Sequence, residues 1–191
     1  MLETITHWDT VITLFLNGLH ASWLDPIMYW ISNRYIWIPL YVFVLSITII
    51  KWKRRSIFLA LLLIITITLS DQSCNLLKNG TKRLRPSHNI ELEQKIHLVK
   101  NSDGELYRSG QPFGFPSAHA ANAMVFALFV FFFVGKRNTW VLIAIFFWAA
   151  LLGYSRIYLG VHYWLDVECG YFVGAVWALG MLKVQSLILK I

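Results

Sequence analysis

Two stretches, LALLLIITITL at residues 59–69 and MVFALFVFFFV at residues 124–134, decide the fold of this chain. Neither carries a charge, and neither alternates apolar with polar side chains as the strands of a membrane-spanning β-barrel do. Continuous apolar runs of this kind are helices in lipid, because only a helix satisfies its own backbone there. A hydrocarbon core takes about 20 helical residues. Working outward from the two runs, the same character covers five segments, near 37–50, 57–77, 120–134, 140–158 and 163–189. The expectation is an all-α, polytopic transmembrane bundle of five or six spans. Composition agrees: 14% of the 191 residues are charged, against roughly 25% in an average globular protein, and those charges gather into islands.

The sixth span is the open point. In residues 1–34, Trp8, Ile12, Phe15, Leu16 and Leu19 share one helical face, while Asp9, Asn17, Gly18 and His20 interrupt the apolar character. This region is either a poor first span or an interfacial helix. Glu3 and the lack of an early Lys or Arg argue against a cleavable signal peptide. Asp25-Pro26 reads as a helix cap followed by proline at the first helical position. No repeat or linker marks a second unit, so residues 1–191 are expected to form a single membrane-embedded domain, with residues 78–116 as its outward-facing loop. Cys74 and Cys169 are read as free thiols.

The formal charge of +7 raises nucleic acid as a partner, and the placement of the charges excludes it. Lys51, Lys53, Arg54 and Arg55 share one connection, Lys136 and Arg137 another, and Lys183 and Lys190 lie near the C-terminus. With five alternating helices all three places fall on one side, which the positive-inside rule makes cytoplasmic. The opposite side receives KNGTKRLRPSHNIELEQKIHLVKNSDGELYRSGQPFG, residues 78–114. Its lysines and arginines run against the topological trend, and its length marks a functional or mobile loop.

Near that outer side, Asp71, Lys78, His119, Arg156, His162, Asp166 and Glu168 lie inside or at the edges of helices. Ionisable groups at membrane depth are costly and point to function. His162 and Asp166, four apart on a helix, share a face. There a carboxylate fixes the tautomer of the imidazole and leaves the other ring nitrogen as nucleophile or base. A metal reading of the same pair lacks the remaining ligands, and the neighbouring cations disfavour it; no cofactor is implied. Pro116, Ser117 and His119 open a helix whose N-terminal N–H groups form an anion cradle. Lys78, Arg85 and Arg156 arrive from three separate parts of the chain, and guanidinium groups match phosphate oxygens bidentately. Fixed cations, a helix N-terminus and two histidines on one membrane face describe a phosphoryl-transfer site. These residues alone do not say which histidine is the nucleophile.

At these positions the sequence resembles the type 2 phosphatidic acid phosphatase superfamily, which includes the vanadium haloperoxidases. Lys78, Arg85 and Pro86 match its K-x6-RP; Pro116-Ser117-Ala118-His119 match PSGH; Ser155, Arg156, His162 and Asp166 match SR-x5-H-x3-D. The resemblance covers roughly residues 36–185. It implies that His162 attacks phosphorus to give a phosphohistidine, with Asp166 orienting its ring. It implies that His119 is general acid and then general base, and that Lys78, Arg85, Ser117 and Arg156 hold the phosphoryl oxygens without a metal. Ala118 replaces the usual glycine, and Trp164 follows Tyr163 where proline is common. Asp71, seven residues before Lys78, reads as its support or as a helix–helix hydrogen bond.

The expectation from sequence is therefore a lipid phosphate phosphatase, integral to a bacterial-type inner membrane, with its site on the periplasmic side. Undecaprenyl diphosphate is the first candidate substrate, followed by phosphatidylglycerophosphate, phosphatidic acid and the 1-phosphate of lipid A. The alternatives are a lipid-linked phosphotransferase and a non-catalytic lipid-phosphate binder; a haloperoxidase conflicts with the hydropathy.

Overall fold

The computed structural model describes residues 2–101, 103–135 and 138–189. Lys136, Arg137 and Lys190, used above for topology, lie outside them. Seven α-helices follow one another: α1 (Leu2–Asn17), α2 (Asp25–Ser32), α3 (Ile38–Trp52), α4 (Arg55–Thr81), α5 (Ala118–Phe129), α6 (Thr139–Tyr158) and α7 (Trp164–Leu189). No strand occurs among the described residues; two isolated bridges, Leu84 to Phe113 and Lys100 to Leu106, tie the long loop to itself. Among the described residues, four helical segments are long and apolar enough to cross a membrane: Arg34–Trp52, Arg55–Thr81, Thr139–Tyr158 and Trp164–Ile188. Ala118–Val134 is a shorter apolar helix, made of α5 and a π-helical turn at Val130–Val134. That turn's end is held by α3, since Lys51 Nζ donates to the Val134 carbonyl and Trp52 Nε1 to that of Phe133.

The bundle is organised around α5. Its residues Ala120, Ala121, Ala123 and Ala127 are buried, and α7 meets it through glycines. A Cβ on Gly170 would stand 2.4 Å from the Ser117 carbonyl oxygen, and one on Gly174 only 2.2 Å from that of Ala121. Small residues let helix backbones approach this closely where lipid supplies no hydrophobic drive. The contact holds the start of α5 against the first turns of α7.

α1 is built inside out. Trp8 and Phe15 are 60% and 67% exposed, whereas Asp9, Thr13 and Asn17 are at most 1% exposed. Those three recur every four residues and so form one face. In a lipid solvent the apolar face turns outward, and the polar face needs partners in the protein. It finds them at the turn between α6 and α7. Asn17 Nδ2 reaches the carbonyls of Ile157, Tyr158 and His97, while Thr13 Oγ1 and Asp9 Oδ1 accept the N–H groups of Trp164 and Leu165. α1 thus closes the last carbonyls of α6 and the first amides of α7. Within the turn, Gly160 has φ +66°, and a Cβ there would meet Leu98 at 2.8 Å.

Asp25 departs from its expected role. The capping position of α2 is Leu24 and Pro26 sits one place further in, because the Asp25 carboxylate is taken by tertiary partners. Its Oδ1 accepts from Tyr158 Oη at 2.6 Å and lies 3.0 Å from His97 Nε2. Cys74 and Cys169 are both free.

Candidate active site

Ser117 caps α5, its hydroxyl accepting from the Ala120 N–H, and His119 follows within the first turn. Asp166 stands in the first turn of α7 and His162 in the turn just before it. Lys78 lies in the last turn of α4, Arg156 in the last turn of α6, and Arg85 in the long loop. The ends of four helices therefore converge with the long loop, and their side chains meet in a cavity of about 740 Å³. Lys78, Arg85, His119, Arg156 and His162 line its polar end, together with Arg34, Asp71 and Asn122. Val44 and Leu45 of α3, Leu63, Ile64 and Ile67 of α4, and Phe126 of α5 line its apolar end. Leu45 and Ile64 are exposed, which brings that end to the flank of the bundle.

The histidine–aspartate pair is fully enclosed. His162 Nδ1 lies 3.3 Å from Asp166 Oδ2, and His162 Nε2 lies 2.7 Å from Arg85 Nη1. A guanidinium has donors only, so Nε2 is the acceptor in that contact and bears a lone pair. The ring proton is then on Nδ1, donated to Asp166. Burial, followed by Arg85, Arg156 and Lys78, holds the His162 imidazole well below the ordinary histidine value, so the neutral tautomer persists at neutral pH. Arg85 is fixed by its other donors, Nε to the Gln111 carbonyl and Nη1 also to that of Val161. Gly114 lies over the pair: a Cβ there would be 3.0 Å from Asp166 Oδ2 and 3.5 Å from His162 Nδ1.

The remaining cations are held differently. Lys78 Nζ donates to Asn75 Oδ1 at 3.4 Å, and Asn75 Nδ2 donates to Asp71 Oδ2 at 3.1 Å. Asp71 therefore reaches Lys78 through Asn75, along one helix face. Arg156 is 3% exposed; its Nη1 donates to Ser32 Oγ at the end of α2, and its Nε has no partner among the described residues. Ser117 is fully buried behind Ala118, its N–H donated to the Asp166 carbonyl at 2.7 Å. Glu168 faces away on the exposed side of α7.

Sequence reading missed Arg83. Its Nη1 donates to Asp166 Oδ1 at 2.9 Å, its Nη2 to Asp9 Oδ2 at 2.5 Å, and its guanidinium lies 4.0 Å over the Tyr163 ring. Burial works against its charge, but Asp166 and Asp9 outweigh burial and the net direction is upward. The available signal was the i, i+4, i+8 polar stripe of α1, which demands a cationic partner for Asp9. Arg34, at the polar end of the cavity, also went unread.

The PAP2 superfamily model matches residues 57–189. The chain belongs to the PAP2 superfamily. Among its relatives, the "Lipid A 4'-phosphatase" of Bacteroides thetaiotaomicron is 35% identical over 178 residues, 91% of this chain and 75% of that protein. The protein of the same name from Porphyromonas gingivalis is 32% identical, over 92% of this chain and 72% of its own length. The crystal structure of a transmembrane PAP2 type phosphatidylglycerolphosphate phosphatase from Bacillus subtilis superposes with a TM-score of 0.71 at 23% identity, covering 97% of this chain and 88% of its own. That similarity is one of fold. The PAP2 match begins after α3, so α1, α2 and the partners they give to Arg83 and Arg156 lie outside it.

Proposed function

We propose that this PAP2 protein is a membrane lipid phosphatase that hydrolyses a phosphomonoester from a lipid A-type glycolipid, without a metal, through a phosphohistidine. One observation carries the reading: a single cavity joins the His162 and cation cluster to an apolar channel between α3 and α4. A phosphate at one end and acyl chains at the other fit that polarity. The names and identities of the two relatives above favour lipid A phosphate over undecaprenyl diphosphate, the first candidate from sequence.

The His162 Nε2 lone pair attacks phosphorus in line, forming the N–P bond as the ester P–O bond breaks. Arg85 Nη1 gives up its contact with Nε2 at that moment and turns onto a phosphoryl oxygen beside Lys78 and Arg156. Three cations facing the equatorial oxygens offset the charge that builds there. His119, whose ring makes no hydrogen bond to the described residues, gives its proton to the leaving sugar oxygen. The same group then takes a proton from the water that attacks phosphorus, the N–P bond breaks, and inorganic phosphate leaves. Asp166 keeps the proton of His162 on Nδ1 throughout.

α5 with its π-helical end makes the fifth crossing in this reading. Arg54 and Arg55 lie on the cytoplasmic side, and the site faces the periplasm of an inner membrane. The test is phosphate release by the detergent-purified chain from bis-phosphorylated lipid A, phosphatidylglycerophosphate and undecaprenyl diphosphate, with EDTA present. Release from lipid A by the wild type, absent in His162→Ala, is expected. Release only from another lipid refutes the substrate, and loss of all release in EDTA refutes the metal-free chemistry.

A further inference from the structure

α1 shares no segment with the PAP2 match, yet its Asp9 carboxylate reaches the histidine–aspartate pair through one side chain. Arg83 stands between the two carboxylates, one nitrogen on each. Asp166 Oδ2 already faces the His162 Nδ1 and the Tyr163 N–H. Its Oδ1 has Arg83 as its side-chain partner. With Oδ1 held by Arg83 and Oδ2 by the Tyr163 N–H, both oxygens of the Asp166 carboxylate are anchored. The contact fixes the carboxylate plane of Asp166 and so the line along which Oδ2 meets the imidazole. Asp9 in turn fixes Arg83, and Asp9 is itself immobile because its Oδ1 takes the Leu165 N–H at 2.8 Å. Tyr163 covers the guanidinium from above. The chain of contacts runs from α1 through Asp9, Arg83 and Asp166 to His162, and each of these residues except Arg83 is buried.

We propose that Arg83 and Asp9 are positioning residues for the histidine–aspartate pair, making the N-terminal helix a working part of the active site. Neither touches substrate; both act through the orientation and charge of Asp166. The inference rests on the reaction proposed above, but one of its readouts does not.

Asp9→Asn is the discriminating variant, because the amide oxygen still accepts the Leu165 N–H while the charge facing Arg83 is removed. The full chain in detergent is assayed on bis-phosphorylated lipid A, alongside Arg83→Gln, Arg83→Lys and the double variant. Arg83→Gln is expected to lower kcat by about 30-fold or more with KM within about threefold, as loss of an orienting partner does. Arg83→Lys restores part of that loss by keeping the charge without the fork. Asp9→Asn costs about 5- to 10-fold alone and less than about twofold in the Arg83→Gln background, since both act through one contact. Its thermal midpoint stays within about 2 °C of wild type. The second readout needs no substrate: the His162 Nδ1–H proton resonance, resolved in wild type, shifts or broadens in Arg83→Gln.

Unchanged kcat in Asp9→Asn and Arg83→Gln overturns the inference. So does a loss that follows the folded fraction, with the midpoint falling in step. A wild type that releases no phosphate from any lipid refutes the proposed reaction instead. In that case an Nδ1–H resonance identical in wild type and Arg83→Gln overturns the positioning role by itself.

Discussion

Gly114→Ala separates the catalytic pair from the rest of the fold. Gly114 has ordinary negative-φ backbone, so space rather than conformation requires glycine there. The added methyl would lie 3.0 Å from Arg85 Cγ, 3.0 Å from Asp166 Oδ2 and 3.5 Å from His162 Nδ1. Non-bonded carbon contacts settle at about 3.5–4.0 Å, so two of the three neighbours have to yield by about 0.5 Å. Arg85 is fixed by two carbonyls, and Asp166 is fixed by Arg83 and the Tyr163 N–H. The weakest link is the 3.3 Å bond between Asp166 and His162, already longer than a good hydrogen bond. Overpacking costs about 1–3 kcal/mol. Taken up at that bond, it lowers kcat by about 5- to 150-fold at 1.36 kcal/mol per decade. The assay is phosphate release from lipid A over a substrate range, with melting followed by tryptophan fluorescence. Gly110→Ala is the control, because a Cβ there meets nothing within 4 Å. A Gly114→Ala protein with kcat within twofold of wild type refutes the reasoning, and so does an equal loss in Gly110→Ala.

His162→Ala should abolish turnover while melting like the wild type; retained turnover removes the proposed nucleophile. With His119→Asn, brief exposure to a labelled aryl phosphate, whose leaving group needs no acid, should leave acid-labile phosphate on the chain, since the second step still needs the lost base; equal label in His162→Ala excludes that position. Because the His162 pKa is held below 6.5, its side-chain nitrogen NMR signals should stay those of the neutral Nδ1–H form as pH falls from 8 to 6.5. The unfolded chain protonates near about 6.5 and the folded one only lower, so this group makes stability fall as pH drops below that value. A cationic signal at pH 6.5 refutes both statements. Gly174→Ala should lower the thermal midpoint, because its methyl would meet a main-chain oxygen at 2.2 Å and overpacking costs about 1–3 kcal/mol; an unchanged midpoint shows that α5 and α7 have room to part.

The helices and most of the candidate site were legible because lipid punishes charge. Lys78, His119, Arg156, His162 and Asp166 stood out as costly groups at helix ends, and they gather at one place in the fold. Glu168 has the same composition signal but faces away, because one residue of helix phase separates a buried from an exposed position. Arg83 was invisible for the opposite reason: in a loop with several other cations, its charge needs no explanation until Asp9 is seen behind it. On the apolar face of α1, Trp8, Phe15 and Leu19 turn outward, a direction that depends on the solvent and not on the spacing. Ser117 was expected to offer its hydroxyl to phosphate, and its burial as a helix cap follows from contacts across the bundle that spacing does not carry.

The inside-out first helix also constrains how the protein is made. Asp9 waits for an amide 156 residues further on, and Asn17 for a carbonyl 141 residues away. At a synthesis rate of about 5–20 residues per second, the segment made first spends about 7–30 seconds without the partners of its polar stripe. During that time its apolar side can rest in the headgroup layer while the stripe stays hydrated, and it seats only when the last helix has been inserted. Seating of the segment made first is thereby timed by the segment made last, and a chain that stops before the final helix leaves the polar stripe of α1 without the Trp164 and Leu165 amides.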